Sequence, residues 1–335
     1  MTPALSALLF ILFLLGLVAL NIPIGVALIV VSFFGISTVL GFDVAATFIA
    51  NIPREVLASW ELSAIPMFLL MGSVALYGGL TDSLFRAARL WLGWLPGGLA
   101  IATNFSAAGL GAATGSSMAT AVAMGRISVP EMRRSNYDVG LAAAACASAG
   151  TLAALIPPSI PLIVYGMLAE QSLVKLFAAG VVPGIITALI YAAMILLRAI
   201  ITPSIAPRSY EPASWRTRFL VLLEVWPLPL LVVLVFGGLY GGFVGPTEAG
   251  AFGAALAIII AFFKGGLSFK TLRTCLQEAC RTTAIILFVA IGAVMFARYV
   301  ALIGLPDLIT DYLTGGAISH LTLILVTVAV YLVLG

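Results

Sequence analysis

Residues 97–131, GGLAIATNFSAAGLGAATGSSMATAVAMGRISVPE, carry the residue types best suited to chemistry in this chain. The stretch starts as an apolar helix and dissolves into Gly109, Gly111, Ala112, Ala113, Thr114, Gly115, Ser116 and Ser117. Helical character resumes at Met118. Glycine frees the backbone and raises the cost of helix, while Thr and Ser bring hydroxyl oxygens into a place short of water. Within hydrocarbon, unwound backbone survives only where it is buried in protein or lines a polar cavity. Such a break offers carbonyls and hydroxyls to an ion or a polar substrate at mid-membrane depth. Small residues also let helices approach closely, and these residues alone support either reading.

The rest of the composition narrows the class. The chain has 335 residues, 62% hydrophobic and 9% charged, with a mean hydropathy of +1.20. Soluble domains carry about 25% charged residues. At roughly 20 residues per crossing, the length holds about ten spans and re-entrant pieces, which makes this an all-α polytopic membrane protein. His320 is the only histidine, and Cys146, Cys275 and Cys280 lie in or beside apolar segments without paired spacing. A metal site built on His or Cys is therefore not expected, nor is an enzyme, for want of a nucleophile with its base. No basic run suits nucleic acid. The N-terminus is apolar without a basic flank or cleavage site, and reads as a first span.

The elements that must position the central stretch follow from hydropathy and breakers. Residues 4–20 and 22–40 are spans meeting at Asn21 and Pro23. Residues 44–80, with Arg54, Glu55 and Glu61 near the middle, suit a re-entrant hairpin, and 82–95 an interfacial helix bearing Arg86 and Arg89. Residues 97–127 read as a broken helix. Residues 139–170 read as an interrupted one, because Pro157, Pro158 and Pro161 leave carbonyls without amide partners. A span over 173–199 leads to a linker at 200–217. Spans at 218–240 and 247–263, an amphipathic piece at 268–281, an apolar run at 283–303 and a last span from Leu321 complete the chain.

Eleven of the sixteen basic residues fall in three segments two crossings apart: Arg126, Arg133 and Arg134; Arg198, Arg208, Arg216 and Arg218 in and beside the linker; and Lys264, Lys270, Arg273 and Arg281. The positive-inside rule makes that side cytoplasmic and the N-terminus external, with Asp43, Glu55, Glu61, Asp82, Asp307 and Asp311 opposite. Residues 63–80 also align without gaps against 283–300, sharing Ala64/Ala284, Ile65/Ile285, Phe68/Phe288, Gly72/Gly292 and Val74/Val294. The two copies enter from opposite sides, as in an inverted repeat over 1–199 and 218–335.

With AIPMFLLMG, GAATGSSMATAVAMGRISVPEM, YDVGLAAAACASAGTLAALIPPSIPLIVYG and PTEAGAFGA in hand, the chain resembles the large membrane subunit of TRAP transporters, the tripartite ATP-independent periplasmic importers. The resemblance covers essentially the whole chain, and its second and third segments are the specific ones. It implies an elevator-type secondary transporter of two inverted repeats, each with a re-entrant hairpin and a broken helix. It also implies sodium-coupled import of an organic acid of C4-dicarboxylate, sialic-acid or keto-acid type. The implied partners are a small four-helix membrane subunit and a periplasmic substrate-binding protein, in a bacterial inner membrane. The chain stops at Gly335 where the family continues, so the second repeat is expected to be incomplete and the chain to be a fragment or a truncated protein. Competing readings are a standalone ion-coupled carboxylate transporter of similar fold and a non-transporting membrane subunit.

The resemblance sharpens the site. Unwound carbonyls and hydroxyls supply sodium's oxygen ligands without formal charge. The first sodium is expected between the tip near Ser63 and the break at Thr114, Gly115, Ser116 and Ser117, with Thr151 as a further ligand. Ordinary capping or back-bonding explains Ser63 and Thr151 as well. Sodium is the coupling ion; no cofactor or other metal is expected. A substrate carboxylate calls for a cation or helix N-termini. Arg298 is the expected anchor, with snorkelling as its competing explanation, and Ser116 and Ser159 are expected to add polar contacts. Asn104 is read as an interhelical hydrogen-bonding group, and Glu248 as part of a helix start capped by Thr247.

Overall fold

A computed structural model describes residues 3–208, 213–307 and 320–334, and all regular structure in them is helical. The helices are α1 (Pro3–Ala19), α2 (Ile24–Leu40), α3 (Phe42–Leu57), α4 (Ala64–Tyr77), α5 (Asp82–Leu92), α6 (Gly98–Thr114), α7 (Ser117–Arg134) and α8 (Val139–Leu155). There follow α9 (Ile160–Leu168), α10 (Leu173–Ile201), α11 (Trp215–Glu224), α12 (Pro227–Tyr240), α13 (Pro246–Phe263), α14 (Phe269–Leu302) and α15 (His320–Leu334). Helices α10, α13 and α14 are long and apolar enough to cross a membrane, and the pairs α8–α9 and α11–α12 qualify as spans bent by 42° and 46°. Apolar side chains left outside on α10, such as Val182 and Ile190, suit lipid. The protein is all-α and polytopic, as its composition requires.

The chain divides into two compact units, residues 1–58 with 286–335 and residues 59–285. The hairpin expected over 44–80 straddles this division. In the first unit, α2 meets the distal part of α14. A side chain at Gly35 would fall 2.4 Å from the ring of Tyr299, which is itself buried and met edge-on by Phe10 at 5.1 Å. Ile36, Ala45 and Ile303 close the core around that ring.

In the second unit, α4 and α13 run side by side in the same direction. The Thr247 hydroxyl donates to Trp60 O at 3.3 Å near one end, and the Lys264 ammonium donates to Gly79 O at 2.9 Å at the other. The end of α4 thus lies beside the Lys264 segment, on the basic side. Asp82, five residues past the end of α4, therefore follows the end that lies beside Lys264, not the end opposite the basic segments expected from its charge. The start of α13 is capped by Glu248, whose Oε2 accepts from Gly245 N–H at 2.7 Å; Thr247, the expected cap, is turned to Trp60 instead.

Helices α6, α7, α8 and α10 form the main core. The Leu99 N–H, in the first turn of α6, donates to the Tyr137 hydroxyl just beyond α7, at 3.3 Å. Leu99, Ile101, Met124, Met132 and Tyr137 share one cluster with Ile195 and Ala199 of α10. A chain crossing straight through would hold Leu99 and Tyr137 roughly 57 Å apart at helical rise. Residues 97–127 are broken at Gly115 as expected, but the two arms α6 and α7 do not proceed in one direction: they fold back as a hairpin that returns to one end. Burial raises the Tyr137 phenol above its ordinary pKa, and the Leu99 N–H pulls the other way. Asn104, fully inside, donates from Nδ2 to Ala188 O of α10 at 2.8 Å, the interhelical bond expected of it.

Candidate functional site at the hairpin tip

The tip is made by three consecutive residues with different tasks. Thr114 ends α6, Gly115 turns left-handed at φ 59°, and Ser116 is extended and opens α7. A side chain at Gly115 would meet strain from that φ and would fall 2.3 Å from Pro158 O, so only glycine fits. The Ser116 Oγ accepts from Ala119 N–H at 3.3 Å, satisfying one of the free amides of α7. Across the tip, the Thr114 and Thr120 hydroxyls are 3.0 Å apart and clasp the two arms.

Against this tip lies the interruption between α8 and α9. Helix α8 stops as Pro157 and Pro158, joined by a cis peptide, remove two amide donors. Ser159, with no exposed surface, donates from Oγ to Ala154 O at 2.5 Å, taking one of the carbonyls so released. The Ile160 N–H donates to Gly115 O at 3.3 Å, so each break satisfies part of the other. From the opposite flank α4 arrives at Gly72, where any side chain would lie 2.5 Å from Thr114 Cα. Gly111 is likewise pressed on Ala153. The two readings of the small-residue stretch therefore both hold, at different residues: Gly111 serves close packing and Gly115 the break.

Two connected spaces open at this junction. A narrow cleft of about 30 Å³ runs between Ser73 of α4, Thr114 and Ser116 of the tip, and Glu278 and Thr282 of α14. That is room for one ion or one water. It shares Ser116, Glu278 and Thr282 with a larger cavity of about 480 Å³, whose further polar lining is Tyr77 and Arg126. The Tyr77 hydroxyl faces the Glu278 carboxylate, with Arg126 close to the same hydroxyl. Leu76, Met118, Val122 and Ile127 supply the apolar walls. The volume suits a small organic molecule. The sole lining cation and the sole lining carboxylate sit on different helices, α7 and α14.

The expected site residues are only partly gathered here. Thr114, Gly115 and Ser116 form the tip; Ser117 follows at the start of α7; Ser159 lies behind, buried against Ala154. Ser63 does not reach the tip. It precedes α4 by one residue, donates to Trp60 O, and is nine residues before Gly72, about 14 Å along a helix. Thr151 donates to Ser148 O at 2.6 Å and meets the Tyr191 hydroxyl at 3.2 Å, on the α10 side of α8. Arg298, in the first unit, holds both oxygens of Glu55 through one nitrogen, at 2.6 and 2.7 Å. Its charge thus has a carboxylate partner within the protein.

Ser73, Tyr77, Arg126, Glu278 and Thr282 were not among the expected site residues. One signal for Arg126 is present in the sequence. Ser116, Ala119, Ala123 and Arg126 recur at three- and four-residue steps, a single helical face running from the tip. Glu278 carries no such signal, since its approach depends on packing across more than 150 residues of chain.

Residues 10–335 match the family described as Tripartite ATP-independent periplasmic transporter, DctM component. The chain is 31% identical to the C4-dicarboxylate TRAP transporter large permease protein DctM of Vibrio cholerae, over 98% of this chain and 76% of that protein. It is 31% identical to the 2,3-diketo-L-gulonate TRAP transporter large permease protein YiaN of Escherichia coli, over 98% and 77%. The C4-dicarboxylate permease of Pseudomonas aeruginosa is 34% identical, over 82% of this chain and 64% of its own length. The chain therefore spans between about two-thirds and three-quarters of these relatives. By the extent of these matches, this chain belongs to the DctM family of TRAP transporter large permease proteins.

Proposed function

We propose that this chain is the permease subunit of a sodium-coupled, binding-protein-dependent importer of small organic acids. The observation that carries the reading is the cavity of about 480 Å³ that ends at the hairpin tip and contains one cation, Arg126. The substrate carboxylate pairs with Arg126. Glu278, Tyr77 and Thr282 accept or donate to a second polar group, such as a hydroxyl. The names of relatives give a C4-dicarboxylate, a diketo-gulonate and sialic acid, acids of this size and polarity. Sodium occupies the narrow cleft, taking oxygens from Ser73, Thr114, Ser116 and Glu278. Arg298 contributes to substrate only by exchanging Glu55 for it. The hairpin and the α8–α9 break move together, elevator-fashion, since each completes the other's hydrogen bonds. A soluble binding protein delivers substrate outside a bacterial inner membrane, and a small membrane subunit accompanies the permease.

Reconstitution of the complete system tests this directly. Uptake should collapse when potassium replaces sodium, and undiminished uptake would sink the coupling. Uptake that persists without the binding protein would favour a standalone carboxylate transporter. Arg126→Ala should abolish uptake with normal membrane assembly, while Arg126→Lys should retain part of it by raising KM more than it lowers kcat.

A further inference from the structure

The charges around the hairpin tip are few enough to count. Among the described residues lining the cavity of about 480 Å³ and the cleft of about 30 Å³, Arg126 is the one cation and Glu278 the one carboxylate. Arg126 lines the cavity alone, whereas Glu278 lines both spaces. Every other polar side chain in the two walls is a hydroxyl: Ser73, Tyr77, Thr114, Ser116 and Thr282. Three of these already have work within the protein. The Tyr77 hydroxyl bonds to Glu278, Ser116 Oγ accepts from Ala119 N–H, and Thr114 is clasped to Thr120. The remaining lining is apolar, with Leu76, Met118, Val122 and Ile127 the largest parts of it.

We infer that Glu278 is a specificity-determining residue that limits the substrate to one negative charge, so that the acid carried is a hydroxylated monocarboxylate and not a dicarboxylate. This rests on the reading that Arg126 takes the substrate carboxylate and sodium the cleft. Before anything enters, the charges of Arg126 and Glu278 cancel. The cleft has room for one ion, and one sodium adds a single positive charge. One carboxylate at Arg126 then restores neutrality. A second carboxylate would leave a net negative charge between apolar walls, with no further cation in the lining to meet it. Charge left uncompensated in such surroundings is costly, and two carboxylates facing each other repel. A substrate hydroxyl stands in the opposite relation to Glu278, because it donates to the carboxylate. An ammonium group would also pair with Glu278, but it would leave the charge of sodium unbalanced. The count therefore selects an acid with one carboxylate at Arg126 and hydroxyls towards Glu278 and Thr282.

Thermal unfolding of the full chain in detergent, at fixed sodium, tests the assignment without the selectivity of a binding protein. The probes are acids matched in skeleton and differing by one carboxylate: D-gluconate against D-glucarate, and glycerate against tartronate. In at least one pair the monocarboxylate should stabilise wild type at a concentration roughly tenfold or more below that of its dicarboxylate. Glu278→Gln, which keeps shape and removes charge, should bring the two members of that pair to within about twofold by tightening the dicarboxylate. Glu170→Gln, outside both spaces, should leave the preference as it is. A wild type that takes the dicarboxylate equally well or better, or a preference that survives Glu278→Gln, would overturn the assignment while leaving the carboxylate site intact. That site itself fails if no probe stabilises wild type, or if Arg126→Ala responds to the probes as wild type does, and the role of Glu278 then falls with it. Should Glu278→Gln not fold, the wild-type ratio still decides.

Discussion

The two breaks that meet at the candidate site interrupt their helices by opposite means. At the hairpin tip a single left-handed glycine and a serine cap turn the chain back on itself. Between α8 and α9 two prolines remove donors, and the chain bends by 42° and continues onward. A glycine break relaxes φ and permits reversal. A proline break fixes φ and leaves direction largely intact. The contrast teaches that an interruption in a membrane helix has a direction as well as a place, and that the breaking residue helps set it.

The largest effect expected from this contrast is a change of side. In a background with Cys146, Cys275 and Cys280 replaced by Ser, single cysteines at Trp94 and Asn136 should react with an impermeant thiol reagent from the same face of the membrane. A cysteine at Glu170 should react from the other. Labelling of Trp94 and Asn136 from opposite faces would remove the hairpin. Next comes Gly115→Ala, which combines left-handed strain with a contact 2.3 Å from Pro158 O, and should cost about 2–4 kcal/mol. An unaltered Tm in detergent would show that the two breaks are not in contact. Smaller, and separating the roles of the two serines, Ser116→Ala should raise the half-saturating sodium concentration about tenfold, one hydrogen-bond-sized loss. Ser159→Ala should leave sodium dependence alone and cost about 1 kcal/mol of stability, its hydroxyl being committed to Ala154 O. A sodium shift in Ser159→Ala would move the ion to the other break. The smallest effect belongs to Thr151→Val, which loses an exposed bond to Tyr191 and should change stability by under about 0.5 kcal/mol with normal uptake.

Much of this was legible from residue types. Hydropathy located the helices, the small residues located the tip, and the prolines located the second break. What hydropathy lacks is the direction a chain takes after a break, because an apolar arm that returns has the same pattern as one that proceeds. The telling group is Tyr137, a phenol in a polar turn whose partner is a free amide 38 residues earlier. The crossing count changes accordingly. With α6 and α7 returning, an external N-terminus follows only if the chain crosses once between Phe42 and Tyr77. Pairing across long separations was also hidden. Arg298 meets Glu55 over 243 residues, and nothing local in either segment announces the other. Depth alone marked Arg298 as a functional cation. The pair explains its tolerance in an apolar run equally well, whereas Arg126, which the sequence marks only as one of a basic segment, is the cation that lines the cavity.

The clasp between Thr114 and Thr120 contains two hydroxyls and only one bond between them, and either oxygen can be the donor. When Thr114 donates, its lone pairs are left for the narrow cleft; when it accepts, its own proton is free to point there. Rotating two O–H bonds therefore inverts the polarity offered by the tip while every heavy atom stays in place. A buried site usually needs a moving side chain to welcome a cation at one moment and an anion or water at the next. Here both polarities are available to the same surface by reversing one hydrogen bond between two threonines.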